Sequence, residues 1–131
     1  MVASGGAEYI SNLKLQKLLY YAQGTFLAIT DEPLFDDPIE AWTHGPVVPA
    51  VYHEYKHFDD RGIELENGFD LPAFTSDESE LLLEVYNEFG QFSAWKLRNM
   101  THQETPWKIT PKGEVIRIDI IKDYFKKNYV E

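Results

Sequence analysis

The stretch NLKLQKLLYYAQGTFLAI, residues 12–29, decides the fold class, because it is the first and clearest helical pattern in the chain. Its apolar residues recur at steps of three and four, the spacing that places side chains on one face of a helix. The residues on this stripe are Leu15, Leu18, Leu19, Ala22, Phe26 and Ile29. Ser11 or Asn12 can cap the start of the helix. Gly24 weakens the helix slightly and indicates a position of close packing.

Two short strands are predicted in the middle of the chain. Residues 39–43, IEAWT, alternate apolar and polar side chains and contain several strand formers. The pair Gly45-Pro46 follows and is expected to break this strand. Ile63 and Leu65 predict a second short strand, which is expected to belong to the same small sheet.

The remaining patterns predict helices. They are expected at about 49–58 behind Pro49, at 76–89 behind a Thr75-x-x-Glu78 capping box, after Ser93, as a single turn at Thr105-Pro106, and after Asp119. The sum is a mainly α (α+β) protein, a compact bundle of five to six helices with a small two- or three-stranded β-sheet. No repeat or linker divides the chain, so residues 9–131 are expected to form a single domain behind a flexible N-terminus at 1–8.

The charge balance limits the classes of partner. The 131 residues include 22 acidic and 12 basic side chains, for a formal net charge of -10. Such a surface repels phosphate backbones, so no direct nucleic-acid partner is expected. It either attracts a basic protein partner or is a solvated surface that keeps the chain in solution. The absence of cysteine excludes disulfides, thiolate metal sites and cysteine nucleophiles.

Nothing in the sequence predicts a membrane or secreted location. The stretch MVASGGAEYIS, residues 1–11, has neither the basic nor the apolar region of a signal peptide. The longest apolar stretch is far shorter than a membrane span. A cytoplasmic protein with no membrane partner is therefore expected.

One short motif suggests catalysis. Residues 53–57, HEYKH, spell the H-E-x-x-H motif, in which His53 and His57 would hold zinc and Glu54 would act as general base. The extended form of the motif fails, since Asp60 stands in place of its Gly and Ile63 in place of its third His. Short motifs often arise by chance, and Tyr and Phe residues form the apolar stripe of this helix. A zinc metallohydrolase is therefore kept only as a remote alternative.

Several segments together resemble a known family. They are KLQKLLYYAQG (14–24), EAWTHGPVVPAVYHEYKHF (40–58), MTHQETPW (100–107) and IIKDYF (120–125). As a set they resemble the Panacea or SocA-like antitoxin domain, also described as a phage-associated GepA-type domain, over about residues 9–127. The signature of the family in the middle segment is the Gly-Pro pair, the second Pro and the Tyr, and it does not include His53 or His57. The resemblance thus favours an accidental origin for the zinc motif.

The resemblance implies a function in protein binding. It implies an antitoxin that neutralises a toxin encoded beside it by direct binding, without enzymatic activity and without a cofactor. One alternative is a proteolytic adaptor that delivers the toxin to a ClpXP-type protease, and another is a phage-encoded interaction module. The acidic balance fits neutralisation, because complementary charge speeds encounter with a basic partner.

Six motif residues are of types that are common at contact surfaces: Trp42, His44, Tyr52, His102, Glu104 and Trp107. Trp42 and Tyr52 either contact the partner or pack in the core, and the core is favoured because large aromatic side chains mostly pack inside. His44, His102 and Glu104 either form an exposed polar cluster or cap loop amides. His44 and His102 with a carboxylate are also a weak candidate for metal binding, and no metal site is predicted.

Overall fold

The computed structural model describes residues 8–10, 12–55, 63–65 and 76–129. Within these residues the chain forms six helices and four short strands. In chain order they are β1 (Glu8–Ile10), α1 (Asn12–Thr30), β2 (Glu40–Trp42), β3 (Gly45–Val47), α2 (Pro49–Tyr55), β4 (Ile63–Leu65), α3 (Ser76–Phe89), α4 (Ala94–His102), α5 (Thr105–Lys108) and α6 (Ile118–Asn128). The predicted mainly helical class with a small antiparallel sheet component is confirmed.

The helix predicted from residues 12–29 is the centre of the fold. α1 packs against α3, α4, α6 and β3, and these neighbours cover it on several sides. The predicted stripe is buried at Leu15, Leu18 and Ala22 and half-buried at Leu19 and Phe26. Ile29 departs from the prediction, because it lies in the last turn of α1 and remains 54% exposed.

Gly24 lies where α1 and α6 touch. A Cβ atom at this position would overlap the ring of Phe125 on α6. The Phe125 side chain is itself fully buried, so its ring has no free space into which it could move. The prediction that Gly24 marks close packing is confirmed.

The strand predicted at 39–43 does end before Gly45-Pro46, at Trp42, but this pair does not interrupt the β structure. Both residues belong to β3, which pairs antiparallel with β2, so that Trp42 lies opposite Gly45 and Ala41 opposite Pro46. Gly45 has a φ of 119°, a conformation that glycine adopts without the steric cost of a Cβ atom. A glycine at the start of β3 therefore lets the chain turn back on itself within two residues.

Two further pairings complete the β structure. The amide of Ala41 donates to the carbonyl of Glu114 at 2.9 Å, and the amide of Ile116 donates to the carbonyl of Ile39 at 2.7 Å. The chain before α6 thus runs beside β2. β1 pairs antiparallel with β4, the strand predicted at Ile63 and Leu65, and makes a second two-stranded sheet. The expectation that this strand belongs to the same sheet as β2 is therefore wrong.

Of the helix starts predicted from capping residues, that of α4 is confirmed and that of α6 is not. Ser93 caps α4 as predicted, since its Oγ accepts a hydrogen bond from the amide of Lys96 at 3.0 Å. Asp119 is not the cap of α6, because the helix begins at Ile118 and Asp119 lies in its first turn, bonded to Arg117. The predicted end of α2 at residue 58 and the predicted capping residue Thr75 lie outside the described residues, as do residues 1–7. Across the described ranges, none of the helices combines the length and the apolar character needed to cross a bilayer.

We expect Gly24→Ala to lower the free energy of unfolding by about 1–3 kcal/mol, because overpacking against a fixed ring outweighs the gain in helix propensity. Denaturant unfolding of the variant measures the loss. The double variant Gly24→Ala/Phe125→Leu supplies the control, since a smaller side chain on α6 gives the new methyl group room. If the two substitutions were simply additive, the close contact would not be the cause.

Candidate functional site

The segments that carry the resemblance meet around α1. Gln16 Oε1 accepts a hydrogen bond from the amide of Val48 at 2.9 Å, which joins α1 to the chain behind the hairpin. Trp107 Nε1 donates to the carbonyl of Trp42 at 2.8 Å, which joins α5 to β2. The motifs are therefore close in space, although they are far apart in sequence.

Glu104 is the buried centre of this region, with 3% of its surface exposed. Tyr20 donates to its Oε1 at 2.9 Å, Tyr21 donates to its Oε2 at 2.9 Å, and Tyr129 also donates to Oε2. Burial raises the pKa of Glu104, and the three tyrosine hydroxyls oppose this by stabilising the carboxylate. Burial and the carboxylate raise the pKa of Tyr20 and Tyr21, so both hydroxyls remain donors.

The expectation of an exposed polar cluster is wrong for Glu104. Its side chain also makes no capping hydrogen bond at the start of α5, although the residue occupies the N-cap position. The physical reason is that the carboxylate turns inward, where three hydroxyl donors satisfy it better than one loop amide. Glu104 therefore holds elements together and presents no carboxylate to a partner.

Lys17 is a second buried polar residue in this region, and the sequence did not indicate it. Its side chain is fully buried, and its Nζ has no hydrogen-bond partner among the described residues. A Cβ atom at Gly45 would lie 2.7 Å from Lys17 Cε and 2.9 Å from Thr101 Oγ1, so the hairpin rests directly on this side chain. Burial, together with the positive charge of Arg98, lowers the pKa of Lys17 to about 7.

An aromatic face lies at the surface of the same region, and we define it by Trp42, Tyr52, His53, His102 and Trp107. The rings of Trp42 and Tyr52 meet edge to face with centroids 5.0 Å apart, and His53 lies 5.6 Å from Tyr52. His102 stacks on Trp107 at 3.9 Å with an angle of 7° between the ring planes. His53 is exposed and the other four are half-buried, so the face combines fixed rings with accessible edges.

The predicted site residues are thus largely brought together. Four of them, Trp42, Tyr52, His102 and Trp107, belong to the aromatic face. Each is half-buried, so it is neither a fully buried core residue nor a fully exposed contact residue. His44 is exposed in the turn between β2 and β3, next to Trp42 in sequence. Among the predicted residues, Glu104 is the one that is buried.

The metal alternatives gain no support from the described residues. No group of three or more His, Asp or Glu side chains in these ranges is placed to hold a metal ion, and this includes the pair His44 and His102. In the HEYKH segment His53 packs beside Trp42 and Tyr52, while His57 and the side chain of Glu54 lie outside what is described. The zinc hypothesis therefore stays a sequence-based alternative.

The structure also contains a groove that the sequence did not predict. It has a volume of about 560 Å³ and runs between α1, α3 and α4. Its lining includes Ile29, Val85, Phe89, Phe92, Met100 and Tyr129, and Glu84 and Glu88 contribute acidic side chains. The exposure of Ile29, which breaks the predicted stripe of α1, is explained by its position in the wall of this groove.

We expect Glu104→Ala to lower the free energy of unfolding by about 3 kcal/mol or more, because it leaves the tyrosine hydroxyls without their acceptor and each buried unsatisfied group costs about 1–3 kcal/mol. Denaturant unfolding followed by tryptophan fluorescence measures this. Glu114→Ala, at an exposed position, is the matched control and should change stability little. Equal losses in the two variants would contradict the role given to the Glu104 carboxylate.

We expect Lys17→Met to raise the free energy of unfolding at neutral pH by on the order of 3 kcal/mol, since one unit of pKa shift corresponds to about 1.4 kcal/mol. The folded protein holds Lys17 at a pKa of about 7 against an ordinary 10.5, so the unfolded chain binds the proton more tightly between these values. Wild-type stability should therefore rise with pH from about 7 towards 10.5, and the variant should lack this rise.

Exposed Lys108 provides the control for this experiment. Lys108→Met removes an equal charge from the surface and should leave the pH dependence of unfolding unchanged. A pH profile of Lys17→Met that matches the wild type would show that Lys17 keeps its ordinary pKa in the folded protein.

Comparison with known proteins agrees with these observations. The model of the family "Antitoxin SocA-like, Panacea domain" matches residues 15–108. The chain is 33% identical over 136 aligned residues to Antitoxin SocA of Caulobacter vibrioides (strain NA1000 / CB15N), and the alignment covers 89% of this chain and 72% of that protein. No solved structure matches the chain. The matched range contains the β2–β3 hairpin, the aromatic face and Glu104, and the chain belongs to the SocA-like, Panacea-domain antitoxin family.

Proposed function

We propose that this protein neutralises a cognate toxin by binding to it directly. Membership of an antitoxin family supports an antitoxin role in general and favours a role without catalysis. The further steps, namely direct contact and the surface that makes it, are our inference from the described residues. The proposal includes a toxin encoded beside this gene, action in the cytoplasm and no direct contact with nucleic acid.

The aromatic face is the observation that carries this proposal. Contact surfaces that bind tightly are enriched in Trp, Tyr and Arg, and their energy is concentrated in a few well-packed side chains. Trp107 is fixed by its hydrogen bond to the carbonyl of Trp42 and by stacking on His102. Rings that are already immobilised lose little conformational entropy on binding, which favours affinity.

The charge of the chain supports the same proposal. A net charge of -10 favours a basic partner during diffusional encounter and disfavours acidic competitors. Glu84 and Glu88 at the groove make no ion pair within the part of the chain that is described, so their charge is available to such a partner. The toxin is therefore expected to be basic overall.

Co-expression with the product of the neighbouring gene tests the proposal. We expect that product to arrest growth alone, to be harmless beside this protein, and to copurify with it. The variant Tyr52→Ala/His53→Ala should reduce binding at least tenfold, because it removes two rings of the aromatic face. Leu83→Ala truncates an exposed apolar side chain on α3 and is the matched control.

Two results would count against direct neutralisation. Toxicity that persists in the presence of an intact complex rejects it for this pair. A toxin whose half-life shortens when this protein is present, and only in cells that contain a ClpXP-type protease, indicates delivery to that protease in place of neutralisation by binding alone. An unchanged half-life together with restored growth supports the proposal.

A further inference from the structure

Three nitrogen atoms beneath the aromatic face are buried without hydrogen-bond partners among the described residues. They are Lys17 Nζ, Arg98 Nε and His102 Nε2. Nearly all buried polar atoms in proteins have a partner, and each exception calls for a water, an ion or a ligand that completes it. The concentration of three such atoms in one region points to a single missing group.

The three residues lie close enough to act on one another. Arg98 and His102 are four residues apart on α4 and therefore share a face of that helix. Burial lowers the pKa of His102, and the positive charges of Arg98, Lys17 and Lys112 lower it further. The charge of Arg98 on α4 also lowers the pKa of Lys17 on α1. The positive charge of Arg98 therefore disfavours the protonated forms of both Lys17 and His102.

No described carboxylate offsets this cluster. The pKa of Lys17 is shifted by burial and by Arg98, and no acidic side chain of the described residues contributes to it. Arg98 Nη1 donates to Asn99, which is neutral. Glu104 lies in the same segment but is committed to three tyrosines. Within the described ranges, neither Lys17, Arg98 nor His102 forms an ion pair, although the chain as a whole has a net charge of -10.

We propose that Lys17, Arg98 and His102 form a binding site for a carboxylate group that the toxin inserts from one of its acidic side chains. This inference rests on the proposed function, and it names the chemistry that the antitoxin recognises at its aromatic face. An anion fits the site better than water, because it accepts from the nitrogens and also favours the protonated forms of Lys17 and His102, which burial and the charge of Arg98 disfavour. Arg and Lys donors together match the oxygens of a carboxylate.

The source of the carboxylate follows from the charge of the whole chain. A net charge of -10 repels small free anions at long range and lowers their concentration near the site. A carboxylate on a docked protein overcomes this repulsion, because the contacts of the aromatic face hold it in place. The toxin therefore combines an overall basic surface with one acidic anchor residue.

Entry of the carboxylate requires a side-chain movement. The three nitrogens are closed to solvent, whereas Arg98 and His102 as whole residues are half-buried and can turn at the surface. Side-chain rotamer changes of this kind are common when proteins bind. His102 lies in the aromatic face itself, so contact with that face and opening of the site are expected to occur together.

Binding should take up protons. The groups that act on the site are Arg98 and His102 from α4, Lys112 from the chain after α5, and the Thr43 backbone. Arg98 disfavours a proton on Lys17. A hydrogen bond with the Thr43 backbone favours a proton on His102, whereas Arg98, Lys17 and Lys112 disfavour it. A carboxylate reverses this effect and raises the pKa of both Lys17 and His102. Toxin affinity should therefore increase as the pH falls through about 7.

Titration calorimetry of the toxin against the full-length protein tests the inference, at about pH 6 and about pH 8 on either side of the Lys17 pKa of about 7. For the wild type we expect tighter binding at the lower pH and net proton uptake, measured in two buffers of different ionisation enthalpy. Lys17→Met, which should be folded and more stable, is expected to bind at least tenfold more weakly and to lose most of the uptake. Lys108→Met is the matched control and should behave as the wild type.

The outcomes separate this inference from the proposed function. If the toxin binds Lys17→Met and Arg98→Met as tightly as the wild type, the carboxylate site is rejected while direct neutralisation stands. If acetate or phosphate raises the thermal midpoint of the wild type but not of Lys17→Met, and toxin affinity is unchanged in the variant, a free anion occupies the site and the toxin anchor is rejected. If the wild type does not bind the toxin, the proposed function itself fails.

Discussion

The rest of the structure depends on the buried Glu104 carboxylate, which accepts hydrogen bonds from three tyrosine hydroxyls. Glu104 stands at the start of α5, Tyr20 and Tyr21 belong to the central helix, and Tyr129 follows α6. A single side chain therefore fixes the relative positions of three helices. His102 and Trp107 of the aromatic face flank Glu104 in sequence, so the segment that carries them is anchored at this carboxylate.

A second constraint comes from the hairpin. Gly45 has no side chain, and the backbone of β3 can therefore rest on Lys17 and Thr101. This arrangement contributes to the full burial of the Lys17 side chain and its amino group. Gly45 therefore makes the tight turn possible and also contributes to the burial that lowers the pKa of Lys17. Backbone geometry and charge are coupled at this position.

The parts of the fold that depend on local chemistry were predictable, and the parts that depend on distant partners were not. The helix at residues 12–29 and the cap at Ser93 follow from periodicity and from hydrogen bonding within a few residues. Glu104 is separated from Tyr20 by 84 residues, so no local pattern distinguishes it from an exposed acid. The family resemblance named four residues that the structure brings together in the aromatic face, but it could not reveal their half-burial or the buried side chain of Lys17.

Tyr129 belongs to two regions of the protein at once. Its ring lines the groove beside Phe89, while its hydroxyl donates to the buried Glu104 carboxylate. A molecule that occupied the groove and displaced this ring would remove one of the three hydrogen bonds to that carboxylate. By linkage, any ligand whose affinity depends on the carboxylate network would in turn alter the affinity of the groove by the same factor.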